Sequence, residues 1–176
     1  MESQIVIHQA TSNDASLIQG ILMQTAQWLK TIDSTQWSEL LEGKDNHNTP
    51  LAIERGEVYY ATLDNHVAGM FILWNKQSNW DKEMWGHTPD EEWLYLHRVN
   101  IVRKYAGTAI ALQMIEEAKH IAAKKQTKGI RLDCMAEKEY LNNLYQESGF
   151  SFVKRIKDHD TGIEKADFNL YHYPLI

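Results

Sequence analysis

The stretch "VRKYAGTAIAL", Val102–Leu112, decides how the rest of this chain is read. It lies between a run of strand formers, "WLYLHRVNIV" (Trp93–Val102), and a long stretch of helical spacing. In the latter, Ala111, Met114, Ile115, Ala118, Ile121 and Ala122 mark one face. A strand that turns into a helix exposes backbone N–H groups without carbonyl partners, and the helix dipole favours negative charge there. Ala106, Gly107, Thr108, Ala109 and Ala111 are all small, and Arg103 and Lys104 stand directly before them. Small side chains let phosphate oxygens approach the backbone, so the turn is a candidate phosphate cradle. The plainer alternative is that small residues let the helix pack closely on a sheet. Spacing alone leaves both open. It excludes the Walker loop, because no Gly-Lys-Ser/Thr follows, and the G-x-G-x-x-G fingerprint.

Working outward, "QIVIH" (Gln4–His8) reads as a first strand. Thr11 is an N-cap with Asp14 three residues on. Ile18, Ile21, Leu22, Trp28 and Leu29 then define a long helix. A short helix around "TQWSELLE" puts Trp37, Leu40 and Leu41 on one face, and "LAIERG" adds a helical turn closed by Gly56. "EVYYATLDNHVAGMFILW" (Glu57–Trp74) is a hairpin joined at "DN", with Asn-His a poor turn pair beside Asn-Gly. "NKQSNWDKEMWGHTPDEE" (Asn75–Glu92) reads as one long polar and aromatic loop. Beyond the central helix, "GIRLDC" is a strand and "KEYLNNLYQESGF" a helix ended by Gly149. "SFVKRIK" and "ADFNLYHY" are final strands separated by "DHDTG". The order β-α-α-β-β-β-α-β-α-β-β predicts a mixed α/β sheet, not the alternation of a dinucleotide-binding domain.

The chain's 176 residues suit a single domain spanning 1–176. With 43% hydrophobic and 24% charged residues, the composition is that of a folded protein. A formal charge of −6 argues against nucleic-acid binding, which needs clustered Lys and Arg. No apolar run reaches the roughly 18 residues that span a bilayer, and the first residues lack signal-peptide character, so a cytoplasmic location is expected. One cysteine, Cys134, rules out an intrachain disulfide. In a strand it reads as a small buried hydrophobe rather than a nucleophile. The eight histidines form no H-x-x-x-H or Cys-His cluster, so no metal is expected.

The run "LHRVNIVRKYAGTAIALQMIEEAKHIA", then "IRLDC", then "YLNNLYQESGFSFV", resembles the core of the GNAT N-acetyltransferase superfamily. The family's strand motif falls on Val99-Asn100-Ile101 and its Gln/Arg-x-x-Gly-x-Gly/Ala turn on Ala106–Ala111. Its helix tyrosine before a Gly-Phe pair falls on Tyr145 with Gly149-Phe150. The clear match covers about Trp93–Phe152. The chain departs from the pattern at three places: Ala106 replaces Gln/Arg, Ala109 a glycine, and Lys138 a frequent Asn.

The resemblance implies a mostly antiparallel sheet of about seven strands with splayed parallel central strands and helices on both faces. It implies acetyl-CoA as cofactor and a primary amine, on a small molecule or peptide, as acceptor. Val99, Asn100 and Ile101 would line the pantetheine arm. Arg103, Lys104, Ala106, Gly107, Thr108, Ala109, Ile110 and Ala111 would meet the pyrophosphate, with Lys138 also at the cofactor. Many relatives dimerise, so a homodimer is an expectation of the same kind.

Acetyl transfer from a thioester to an amine needs a bound donor, a neutral amine and a proton for the departing thiolate. Tyr145 is the candidate acid. Its spacing from Leu141 alone favours a core tyrosine, and the resemblance is what makes the acid the better reading. Glu83, Glu91, Glu92 and His97 are candidate bases, although water can also take the proton. Trp37, Trp85, Glu92 and His97 are candidate acceptor-binding residues, and Trp28, Trp80 and Trp93 belong to the same helices and loop; core packing is the alternative reading for these aromatics. A non-catalytic acyl-CoA sensor is the competing function.

Overall fold

The computed structural model describes residues 4–107 and 109–175. Its sheet has seven strands in the order β1-β2-β3-β4-β5-β7-β6. The chain divides into two compact units, Met1–Ile72 with Arg98–Met114, and Leu73–His97 with Ile115–Ile176.

In the first unit β1 (Val6–Gln9) pairs antiparallel with β2 (Val58–Leu63). The Thr11 N–H donates to Asp14 Oδ2 at 2.9 Å, closing the expected capping box. One 3-10 turn then leads into α1 (Ala15–Thr31). Its buried stripe is Ile18, Ile21, Leu22, Ala26 and Leu29, a helical period facing the core. The short α2 (Ser38–Leu41) and α3 (Thr49–Glu54) follow, the latter capped by the Asn48 side chain accepting from the Leu51 N–H. β2 pairs with β3 (His66–Trp74) through a turn at Asp64 and Asn65, both left-handed at φ 50° and 67°. The joint read at "DN" thus stands: Asp-Asn occupies the two central positions, and both residue types tolerate this backbone conformation.

A correction falls in Asn75–Glu92, which is not one long loop. Its centre winds into α4 (Asn79–Trp85), closed at Ser78 by a capping box with Asp81. The Ser78 N–H donates to Asp81 Oδ2 at 3.0 Å and the Asp81 N–H to Ser78 Oγ at 3.1 Å. Trp80 and Met84, one turn apart, pack with Phe168 and Leu170 in the second unit's core.

β4 (Leu94–Ile101) leads through the turn into α5 (Ile110–Lys124), β5 (Gly129–Met135) and α6 (Glu139–Glu147). β4 and β5 are parallel, with Leu94 opposite Ile130 and Tyr95 opposite Arg131. β7 (Lys165–Pro174) lies between β5 and β6 (Ser151–Asp160), antiparallel to both. β6 reaches Asp160, so most of "DHDTG" is strand rather than connection. The Asp158 N–H and the Arg155 side chain both donate to Asp167 across the pair, holding the extension in register. No helix among the described residues is long and apolar enough to cross a membrane.

Candidate active site

In the first unit β4 ends at Ile101, and the Val102 N–H donates to the Ala68 carbonyl at 2.8 Å. A 3-10 turn at Arg103–Tyr105 brings the chain to Ala106, extended, and to Gly107 at φ +79°. Ala106, Gly107 and Ala109 are exposed, Ala111 half-buried and Ile110 buried. A Cβ built on Gly107 would meet no protein atom within 4 Å. The backbone is therefore turned by a left-handed glycine, with open space where a side chain would project. Thr108 lies outside the described residues. Arg103 stacks its guanidinium over Trp28, 3.7 Å from the ring centroid, and the Lys104 ammonium lies 5.4 Å from that of Tyr105. Exposed small residues, two cations and the start of a fifteen-residue helix fit a pyrophosphate.

Behind this turn β3 approaches β4 closely. A Cβ on Gly69 would lie 2.7 Å from the Asn100 carbonyl oxygen and 2.8 Å from Met114 Sδ, so only glycine seats the strand there. The Asn100 side chain is committed to the protein: Nδ2 donates to the Arg98 carbonyl at 2.9 Å, and Oδ1 accepts from Thr25 Oγ1 at 3.0 Å. Its contribution to a ligand is thus limited to its backbone. Val99 and Ile101 are half-buried. Arg98 is left-handed at φ +56° within the strand and 5% exposed. It meets Glu39 at 3.3 Å, His47 Nδ1 at 3.0 Å and the Trp37 ring at 4.8 Å. Trp37 therefore packs on an arginine the sequence reading had not singled out.

The second unit gathers the titratable groups. His97 Nε2 lies 3.0 Å from Asp81 Oδ1 and 3.3 Å from Oδ2, with Asp81 1% exposed. Burial alone would raise the Asp81 carboxyl, but the His97 charge and hydrogen bonds from His97 and Ser78 hold it below the usual carboxylate range. On β5, both oxygens of Asp133 accept from Trp80 Nε1 at 3.1 Å. Burial pushes this carboxyl up to about 6, with Asp81 adding to the rise and His97 opposing it. Neither aspartate was singled out from the sequence. The signals were a charge inside the apolar strand "IRLDC" and the Ser-x-x-Asp spacing ahead of α4.

Tyr145 stands in the last turn of α6, 6% exposed, its ring against Phe150 and Tyr171. Burial first, then Cys134 and Asp133, raise its phenol far above the ordinary value, so the hydroxyl is a proton donor throughout the neutral range. Asn142, one turn earlier, fixes this helix. Its Oδ1 accepts from the Tyr171 hydroxyl at 2.7 Å and Asn169 at 2.8 Å, while Nδ2 donates to the Lys138 carbonyl at 2.8 Å. Lys138 is the backbone N-cap of α6, with no cap bond from its side chain. Cys134 is buried, its thiol pushed up to about 12 by burial and then by Asp133, which leaves it unreactive at neutral pH.

The remaining candidates go elsewhere. Glu92 pairs with Lys128, and Glu83 with His159 at 3.0 Å. Glu91 is exposed, with its N–H bonded to the Asn75 carbonyl. Trp85 and Trp93 flank the Arg131 guanidinium at 4.8 and 4.3 Å.

Asp133 gives a stability prediction. Its folded pKa is raised, so its contribution is fully present below the ordinary 3.8 and is lost as pH rises through about 6. Asp133→Asn mimics the neutral form and keeps an acceptor for Trp80. The variant is expected to melt about 2–6 °C above the parent at pH 8, with the gap closing by pH 4. Calorimetric melting at both pH values checks this; equal melting temperatures at pH 8 would mean that ionised Asp133 is not penalised by its surroundings.

Comparison with known proteins shows the family. The sequence profile of the Acetyltransferase (GNAT) family matches residues 22–150. The chain belongs to that family, and it is an acetyltransferase. It is 37% identical over 147 residues to the uncharacterized N-acetyltransferase YesJ of Bacillus subtilis (strain 168), covering 82% of this chain and 80% of the relative. Among solved structures it resembles a GNAT-family acetyltransferase from Listeria monocytogenes 4b F2365, with a TM-score of 0.77, 31% identity and 99% of both chains covered. It shares the fold of yncA, a putative acetyltransferase of Salmonella typhimurium solved with acetyl-CoA. There the TM-score is 0.71, with 12% identity over 98% of this chain and 94% of the other.

Proposed function

We propose that this protein moves the acetyl group of acetyl-CoA to a primary amine of a small molecule or peptide by direct attack on the thioester. The observation that carries the reading is the open left-handed turn at Gly107 ahead of α5, on a chain of the GNAT family. When bound, acetyl-CoA supplies the activated acetyl group. N–H groups of the turn and the first helical residues hold its pyrophosphate, and Arg103 and Lys104 add positive charge. The backbone of Val99–Ile101 pairs with the pantetheine arm as an added strand would. Tyr145 gives its proton to the leaving thiolate, which a phenol kept neutral at working pH is suited to do.

Calorimetric titration with acetyl-CoA, with ATP and NAD as controls, tests the donor. Selective 1:1 binding of acetyl-CoA is expected; equal binding of NAD, or none of acetyl-CoA, would sink the assignment. A panel of amino acids, polyamines, aminoglycosides and peptide N-termini, read by release of free thiol, then finds the acceptor.

A further inference from the structure

The acceptor reaches the enzyme as an ammonium ion and must lose a proton before its nitrogen can attack, so a proton acceptor belongs near the thioester. β4 and β5 are parallel with Tyr95 opposite Arg131. Two positions further on, on the same faces, come His97 and Asp133. They are the first such pair beyond the paired ends of β4 and β5, on the strand whose later residues are proposed to pair with the pantetheine arm. α4 brings Asp81 against His97 and Trp80 against Asp133.

The two carboxylates differ in what they have left to accept with. Asp81 takes hydrogen bonds from His97, from the Ser78 N–H and from Ser78 Oγ, so it is largely saturated. Asp133 accepts one N–H, from Trp80, among the described residues, and an ionised carboxylate has about four lone-pair positions. Of the glutamates first considered, Glu92 is paired with Lys128 and Glu83 with His159.

We propose that Asp133 is the catalytic base that deprotonates the incoming ammonium, with Trp80 and the His97–Asp81 pair as its positioning residues. This rests on the acetyl-transfer reading above. The ammonium gives one proton to the Asp133 carboxylate, which passes it to water. The free amine forms the C–N bond as the C–S bond breaks. The departing thiolate takes a proton from Tyr145, and the second proton lost by the nitrogen restores that phenol. The groups facing Asp133 are Trp80 and Asp81 from α4, His97 from β4, His159 from β6 and Tyr145 from α6. Burial places the Asp133 carboxyl near 6, within reach of a proton donor yet mostly ionised above pH 7.

Two measurements test the assignment. The first needs no substrate: the Trp80 indole N–H resonance, assigned with Trp80→Phe, is followed from pH 4 to 8 in the free protein. It should titrate near pH 6 in the parent and not in Asp133→Asn; an identical titration in the variant overturns the placement. The second uses the best amine of the panel. Asp133→Asn is expected to lose about 100-fold or more in kcat/KM for the amine at pH 7. Acetyl-CoA affinity should be unchanged, and the loss should shrink as the pH rises through the amine's own pKa, above which it arrives already neutral. Activity within threefold of the parent, with the acidic limb of the pH profile intact, overturns the role of Asp133 alone. A parent protein that binds acetyl-CoA and acetylates nothing in the panel would sink the amine-transfer reading together with this inference.

Discussion

Gly107→Val is expected to fold and to lose at least 100-fold in affinity for acetyl-CoA. The folded chain has room for the new side chain, because a Cβ at this position meets no protein atom within 4 Å. What it cannot accept without strain is the backbone: φ +79° suits glycine, and an L-residue there costs about 1–2 kcal/mol. Thermal melting should register that cost. Calorimetry should register a much larger effect, since the methyl groups project into the space assigned to the pyrophosphate. Melting lowered with binding intact would mean that the turn packs the helix on its sheet and holds no phosphate. Gly107→Ala, with the strain and less bulk, separates the two contributions.

The second large effect is expected at Tyr145. Tyr145→Phe should lower kcat about 10- to 100-fold while leaving the dissociation constant for acetyl-CoA within about threefold. The ring packs against Phe150 and Tyr171, and phenylalanine keeps those contacts. No hydrogen-bond partner of the hydroxyl is found among the described residues, so removing it should cost the fold little. Single-turnover kinetics separate this outcome from slow product release. Unchanged turnover would return Tyr145 to the role of a core tyrosine.

The elements that announced themselves in the sequence were those whose signals are local. The buried stripe of α1 and the Thr11–Asp14 box depend only on neighbours in the chain, and both stand as read. The turn ahead of α5 could be placed between strand and helix for the same reason. α4 was passed over because two tryptophans and a run of charges hid a short capped helix, although Ser78 and Asp81 stood at the right spacing. The partners of the candidate site were harder to see. Asp133 and Trp80 are 53 residues apart, Arg98 and Glu39 59 apart, and pairing them requires the sheet. A glutamate in a loop looks like a base from sequence, yet Glu92 forms an ion pair with Lys128, which no spacing rule supplies. Asn142 was overlooked because one amide bonding β5's end, β7 and its own helix has no linear signature.

Asp81 closes the first turn of α4 and is also the partner of His97. One carboxylate thus serves two structures, and they cannot be lost separately. Its depressed folded pKa means that its stabilisation is present above the ordinary carboxylate range and disappears as pH falls through the lower folded value. Acid below the ordinary carboxylate range should therefore act on this protein as a disassembly signal for one corner. The helix start frays and the histidine loses its anchor in the same step, while strands held by backbone ladders persist.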